Sequence, residues 1–153
     1  MTVEQLPQNP KNRTDRPQIY VVAIIGEFPD QSILIKPSDK NNGWFFPGID
    51  INNETNLKEI ASHLIISEID GITVEKVTKI ANFNHHGQVT LFICHCKGWP
   101  DRKSGLQSST FAQNQSFYHF SPLGVKISEK YNSYVRRHSL EKELPLFTHI
   151  NPP

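Results

Sequence analysis

The sequence predicts an α/β fold, an α/β/α sandwich in which helices cover both faces of a mixed β-sheet. Two segments carry most of that expectation. Ile19 to Ile25 and Val89 to Cys96 are apolar at successive positions rather than at every second one, the pattern of strands covered on both sides. Between them, Thr55 to Ile69 shows helical periodicity, so at least one helix is available to cover a face.

Taken in order, residues 1–17 carry Pro7, Pro10 and Pro17 among Gln, Asn, Lys and Arg; with nothing to bury, they predict a flexible arm. Order begins at Ile19. Gly26 to Gln31, with Pro29-Asp30, predicts a turn, Ser32 to Lys36 a second short strand, and Ser38 to Gly43 a polar turn. Trp44-Phe45-Phe46 predicts a short aromatic strand stopped by Pro47-Gly48, followed by a polar loop. Thr55 is the expected N-cap of the helix and Gly71 its stop. At about 100° per residue, Leu57, Ile60, Ala61, Leu64 and Ile65 share the core-facing side. Glu59, Ser62, His63, Ile66 and Ser67 share the opposite one.

Ile72 to Phe83 predicts a long half-buried strand and Asn84-His85-His86-Gly87 a hairpin turn into Val89 to Cys96. Lys97 to Gln115 reads as a long polar loop and Phe117 to Phe120 as a short strand. Ser121-Pro122 opens a second helix, since a serine caps well and proline suits the first helical position. Its apolar stripe is Ile127, Tyr131, Tyr134 and Val135. The expected organisation is an arm over 1–17, a domain over 18–138 and a C-terminal tail over 139–153 with a short helical start.

A chain of 153 residues, 37% hydrophobic and 20% charged, holds enough apolar material for one core and too little length for two. Sixteen Lys+Arg against fifteen Asp+Glu leave a formal charge of +1, which speaks against a strongly basic, polyanion-wrapping protein. The longest apolar run, Ile19 to Ile25, falls far short of the roughly 20 residues of a membrane helix. Met1 to Pro17 has no apolar stretch of the secretory kind. A cytoplasmic, membrane-free location is expected. Cys94 and Cys96 are too close in one strand to bridge each other and too few for a disulfide scaffold.

The order strand, strand, Trp44-Phe45-Phe46-Pro47-Gly48, loop, Glu54-Thr55, amphipathic helix, Gly71, strand hairpin resembles the Nudix hydrolase family over about residues 18 to 138. Phe83 to Phe92, with His85-His86-Gly87 and Val89-Thr90-Leu91, is similar to that family's next hairpin, and His119-Phe120-Ser121-Pro122-Leu123 to its closing strand and second helix start. The resemblance implies a Nudix-type α/β/α sandwich that cleaves nucleoside diphosphate derivatives with Mg²⁺ held by glutamates on one helix. The family's signature runs Gly, five residues, Glu, seven residues, then Arg-Glu-apolar-x-Glu-Glu-x-Gly-apolar. Gly48 and Glu54 fit it. The block after them falls on Ser62-His63-Leu64-Ile65-Ile66-Ser67, so the three metal-binding glutamates are replaced by His63, Ile66 and Ser67. Mg²⁺ is a hard cation that wants oxygen ligands in octahedral geometry. Anchoring at Gly71 instead brings Glu68 onto a signature position, yet supplies only one acid of three. Many members of the family also place a glutamate base in the loop before the closing strand, and from Arg102 to Ser128 this chain has no Asp or Glu.

Other constellations compete with plainer readings. Glu59 and His63, one helical turn apart, suit a softer metal such as Mn²⁺ or Zn²⁺, but a solvated face with one ion pair is preferred. Glu54 suits either a metal or loop amides, and His85-His86 either a phosphate or metal contact or an exposed polar turn. Cys94-His95-Cys96 invites a zinc site, yet alternation puts the cysteines on one face and His95 on the other, so buried thiols are preferred. Among Trp44, Phe45 and Phe46, one ring is expected to face a cleft, where base stacking is worth about 1–3 kcal/mol. Lys126, Lys130, Arg136, Arg137 and His138 suit a phosphate-binding edge, with a solvated helix face preferred.

The expected ligand-binding residues are therefore Trp44, Phe46, Gly48, His85 and His86, and the weak metal candidates Glu54, Glu59, His63 and Glu68. The degenerate box comprises Gly48, Glu54, Ser62, His63, Ile66 and Ser67. The expected function is a non-hydrolytic or impaired nucleotide-binding or interaction module. One alternative is an active hydrolase of a nucleoside diphosphate derivative, such as an oxidised guanine nucleotide, with Mg²⁺ or Mn²⁺ as cofactor. The other is an RNA-binding or complex-assembly subunit.

Overall fold

The strand Gln18–Ile25 (β1) is the axis of the molecule. Its side chains alternate between two cores: Ile19, Val21 and Ala23 enter one cluster, Val22 and Ile24 the other. All five are essentially without exposed surface, which explains why the strand is apolar throughout. The computed structural model describes residues 16–37, 44–52, 56–101, 110–112 and 120–147. The N-terminal arm up to residue 15, the turn over 38–43, Glu54 and Thr55, and the proposed strand over 117–119 lie outside the described residues.

The other elements are β2 (Ser32–Pro37), β3 (Trp44–Phe45), β4 (Gly48–Asp50), α1 (Leu57–Glu68), β5 (Asp70–Asn84), β6 (Gln88–Asp101), β7 (Thr110–Ala112) and α2 (Pro122–Arg137). The strand order is β3-β2-β1-β6-β5, with β4 added to β1 and β7 to β2. β1 and β6 run parallel, from Gln18 opposite Val89 to Ile25 opposite Cys96; the remaining pairs are antiparallel, so the sheet is mixed. One edge of β1 is shared. β2 pairs with its C-terminal end and β4 with its first three residues. Between them the Val21 N–H donates to the Pro47 carbonyl at 3.0 Å.

The aromatic strand stops before Pro47, as the sequence reading has it, but a new strand, β4, begins at Gly48 where a polar loop was expected. A Cβ at Gly48 would collide with the Tyr20 ring, so glycine lets β4 close on β1 there. The long polar loop expected from Lys97 to Gln115 is also corrected. β6 continues to Asp101 because β5 supplies backbone partners as far as Asp70, whatever the side chains are. Further on, residues 110–112 add to β2 as β7. The hairpin closes at His85 to Gly87, with His86 at φ 54° and Gly87 at φ 124°.

α1 buries Ala61, Leu64 and Ile65 against the face formed by Ile19, Val21 and Ala23, with Leu57 and Ile60 at the margin. This is the predicted stripe. Its N-cap is Asn56, whose side-chain oxygen accepts from the Glu59 N–H at 3.4 Å, one residue after the expected cap. It ends at Glu68, and Gly71, expected as a stop, already lies in β5. α2 starts as predicted, with the Ser121 hydroxyl accepting from the Gly124 N–H at 3.1 Å and Pro122 in the first turn.

Packing on the α2 face continues beyond residue 138. Leu144 and Phe147, in the segment read as a tail, are buried in the core. The buried Asn132 explains it: its amide donates to the Phe147 carbonyl and its oxygen accepts from the Phe147 N–H, both at 2.9 Å. The Tyr131 hydroxyl donates to the Pro145 carbonyl at 2.6 Å.

Candidate functional site

The outward side of α1 carries the residues read as box positions from the resemblance. His63, Ile66 and Ser67 are exposed and Ser62 half-buried, because the opposite stripe faces the core. β4 runs past this helix, and between the two lies a cleft of about 430 Å³ lined by Ile49, Asp50, Ile51, Ile60, His63, Leu64 and Ser67. Sequence reading missed Asp50, which it placed in a loop. The alternation from Gly48 to Ile51 was the available signal. The Asp50 carboxylate accepts from the Gln18 amide at 2.8 Å. It also adds to burial in pushing the Tyr20 phenol above its ordinary pKa.

The remaining acids of α1 have partners. Glu59 accepts from the Asn56 side-chain amide at 3.2 Å and so serves the helix cap. Glu68, near the helix end, meets the Lys36 ammonium at 3.3 Å, with side chains only 19% and 28% exposed. The same ammonium stands 5.7 Å from the centre of the Phe45 ring. The Ser67 hydroxyl donates back to the Leu64 carbonyl at 2.7 Å. Among the described residues, no three His, Cys, Asp or Glu side chains stand close enough to hold a metal ion. The residues on this face do not fit a hexacoordinate Mg²⁺: Ile66 offers no donor, His63 offers nitrogen, and Ser67 offers one neutral oxygen.

The other candidates divide. Phe46 is fully buried, stacked on Phe120 with centroids 4.9 Å apart and edge-on to Phe147 at 5.5 Å. It is a core residue with no face for a ligand, because β3 ends at Phe45 and the next side chain turns inward. Trp44 is half-buried and packs at the margin of the same aromatic cluster. Gly48 acts through its fit to Tyr20.

His85 and His86 meet edge to face at 4.9 Å on the hairpin tip. Burial, His86 and Lys126, in that order, pull the His85 pKa below the usual imidazole value. Lys126 donates to the Asn84 carbonyl at 3.1 Å and, with Lys130, caps the Phe83 ring at 5.4 and 5.7 Å. The i,i+4 spacing of the two lysines was visible in the sequence; the aromatic ring between them was not. Gln18 lies opposite Asp50 on one side and Val89 on the other, so the β4 end of the cleft and the hairpin tip flank the same end of β1.

Cys94 and Cys96 are buried on the α1 side, with their thiols pushed up to about 12, Cys94 by burial and then Cys96, and Cys96 by burial and then Glu75. They pack as small hydrophobes, and His95 points to the other side of the sheet.

The mixed sheet between α1 and a second, proline-started helix defines the class: the chain resembles the Nudix hydrolases and has their fold. The particular likenesses are distant. A Nudix hydrolase from Listeria monocytogenes is 12% identical, with TM-score 0.56 over 84% of this chain and 98% of that one. The Nudix domain of Shewanella oneidensis NrtR, solved with ADP ribose, is 8% identical, with TM-score 0.57 over 82% and 88%. The C-terminal domain of mouse MUTYH, solved in complex with human PCNA, is 11% identical, with TM-score 0.59 over 80% and 90%. No family model matches the sequence, and no curated protein does. At these identities the likeness is one of fold. Among the described residues, no helix is long and apolar enough to cross a membrane.

Proposed function

We propose that this Nudix-fold domain binds a nucleotide in the cleft between β4 and α1 without cleaving its pyrophosphate bond. The observation that carries the reading is the outward side of α1, where His63, Ile66 and Ser67 offer no acid at the positions that the resemblance gives to three glutamates. Cleavage in such a cleft needs a metal to activate water and to offset charge building on the phosphates. Glu59 is engaged in the helix cap and Glu68 with Lys36, so neither replaces the missing set. Each lost preorganised group costs about 10²- to 10³-fold in turnover. Binding has lighter requirements. A volume of about 430 Å³ lies within the roughly 300–1,000 Å³ usual for small-ligand pockets. Ile49, Ile51, Ile60 and Leu64 supply apolar surface, and Asp50, His63 and Ser67 polar groups. NrtR, with the same fold, takes ADP ribose.

A protein-interaction role is the second reading. It is favoured by Ile49 and Ile66, 44% and 45% exposed, on the walls of β4 and α1. The MUTYH domain of this fold is held in a complex with PCNA.

The test is a thermal-shift series against nucleoside diphosphates and their derivatives, with and without Mg²⁺ or Mn²⁺, beside a phosphate-release assay. The expected outcome is a melting temperature raised by several degrees at ligand concentrations about 100 times Kd, with no turnover in either metal. The variant Ser62→Arg/His63→Glu/Ile66→Glu/Ser67→Glu is the companion. Turnover by the natural chain overturns the reading, whereas turnover gained only by the variant supports it.

A further inference from the structure

We propose that the α2 side of the sheet carries a second binding site, for a small zwitterion of the α-amino-acid class, independent of the cleft at α1. A cavity of about 250 Å³ opens there between the β5–β6 pair, α2 and residues 140–144. It lies below the roughly 300–1,000 Å³ of pockets for drug-sized ligands, which restricts it to something smaller.

The strand register builds one wall. Lys76 stands opposite His95 and Thr78 opposite Ile93, and all four line the cavity. Gln31, Tyr134 and Glu143 complete its polar lining, with Leu140 and Leu144 beside them. Gln31 is 93% buried, being only 7% exposed. Its amide nitrogen donates to the Glu143 carbonyl at 3.0 Å, whereas its oxygen Oε1 is buried with no hydrogen-bond partner. Leaving a buried acceptor unmatched costs about 1–3 kcal/mol, so an occupant that brings a donor is favoured here.

The charges narrow the choice. His95 lies within reach of both signs: burial and then Lys76 pull its pKa down, while Glu75 and Glu143 pull it up. Glu75 is engaged with Lys97 at 3.2 Å, so Lys76 and Glu143 are the opposed charges of the lining. A simple anion would be met by Glu143 and a simple cation by Lys76. A ligand bearing an ammonium and a carboxylate satisfies both. The carboxylate faces Lys76, and the ammonium, with three protons, can donate to the Glu143 carboxylate and the Gln31 oxygen. Ile93, Leu140 and Leu144 offer apolar surface for a short side chain.

The experiment is an NMR titration of the ¹⁵N-labelled full chain with the common L-amino acids at millimolar concentration. Ammonium acetate and ethylamine serve as single-charge controls. The expected result is saturable movement of the Gln31 side-chain amide and of the Lys76 and His95 backbone signals by at least one amino acid. Lys76→Met and Glu143→Gln, at exposed side chains whose loss spares the core, should each weaken binding about tenfold or more. No saturable movement with any amino acid overturns the proposal and leaves ordered water as the occupant. Equal response to the single-charge controls, or binding unchanged in both variants, overturns it as well. Because nucleotides are expected at the opposite face, their failure to bind leaves this outcome untouched.

Discussion

The two faces of the sheet are fastened differently. On the α1 face the core is mostly aliphatic: Ile19, Val21, Leu34, Ala61, Leu64 and Ile65 pack around Phe92 and the Cys94 and Cys96 thiols, and directional bonds lie at its margins, Thr90 to Asn82 at 2.9 Å and Lys36 to Glu68 at 3.3 Å. On the α2 face, an aromatic cluster of Phe46, Phe120, Tyr131 and Phe147 is pinned by buried polar groups. Asn132 grips both backbone groups of Phe147, Tyr131 reaches Pro145, and the Ser128 hydroxyl donates to the Gly124 carbonyl at 2.9 Å. Shape does most of the holding on the first face, with directional bonds at its margins, and shape plus buried directional bonds hold the second. The aliphatic face accepts changes of the same volume, and the outer side of its helix accepts changes of almost any kind. Residues at His63, Ile66 and Ser67 can therefore vary at little cost to the fold, because those positions face outward.

The largest effect should come from the pinned face. Asn132→Leu keeps the volume but strands the Phe147 N–H and C=O, each costing about 1–3 kcal/mol when buried unpaired. Urea unfolding should show a loss of about 2–6 kcal/mol; a loss under about 1 kcal/mol would mean that the segment to Phe147 contributes little to the packed structure.

A second effect is an alkaline weakness of the thiol face. The Cys94 and Cys96 pKa values, raised from 9.0 to about 12, mean that the unfolded chain ionises before the folded one. Stability is thus fully present below pH 9 and falls as pH rises from about 9 to 12. Tyr20 and Tyr131, also raised, add losses in alkali from the other face. Cys94→Ala isolates the thiol contribution: its stability should fall less steeply than that of the natural chain over that window. Equal slopes would defeat the assignment.

Smallest is the outer side of α1. Ile66→Glu should shift stability by no more than about 0.5 kcal/mol, since it alters an exposed position. A loss above about 1.5 kcal/mol in thermal unfolding would show this face to be covered, as the interaction reading requires.

Much of this was legible in the sequence, and for identifiable reasons. β1 and the first part of β6 are apolar at successive positions because both their faces are covered, and the inward stripe of α1 follows from helical period alone. The start of α2 was legible because serine and proline act within one turn. What could not be read depends on partners far along the chain. β4 is three residues long and becomes a strand because β1 offers an edge. The extension of β6 rests on backbone bonds, which leave no trace in side-chain pattern. Phe147 is buried because Asn132 holds it, fifteen positions away. At the candidate site the outward positions of α1 were legible. Phe46 was not, because an aromatic triplet before proline gives no sign of which ring turns inward. Lys36 as the partner of Glu68 was equally hidden, thirty-two residues upstream.

The parallel pairing of β1 with β6 also sets the order in which this protein can be made. Gln18 emerges from the ribosome before its partner Val89, which follows only after β4, α1 and the whole of β5 have been synthesised. Until then the most apolar strand of the protein carries a bare edge, a template for pairing with other chains. Such distant pairing is slow to close because the loop entropy is spent before the contacts form. Truncated products ending before Gln88 are consequently the species most prone to aggregate, and any chaperone that serves this protein has its work concentrated on a nascent chain rather than on the finished domain.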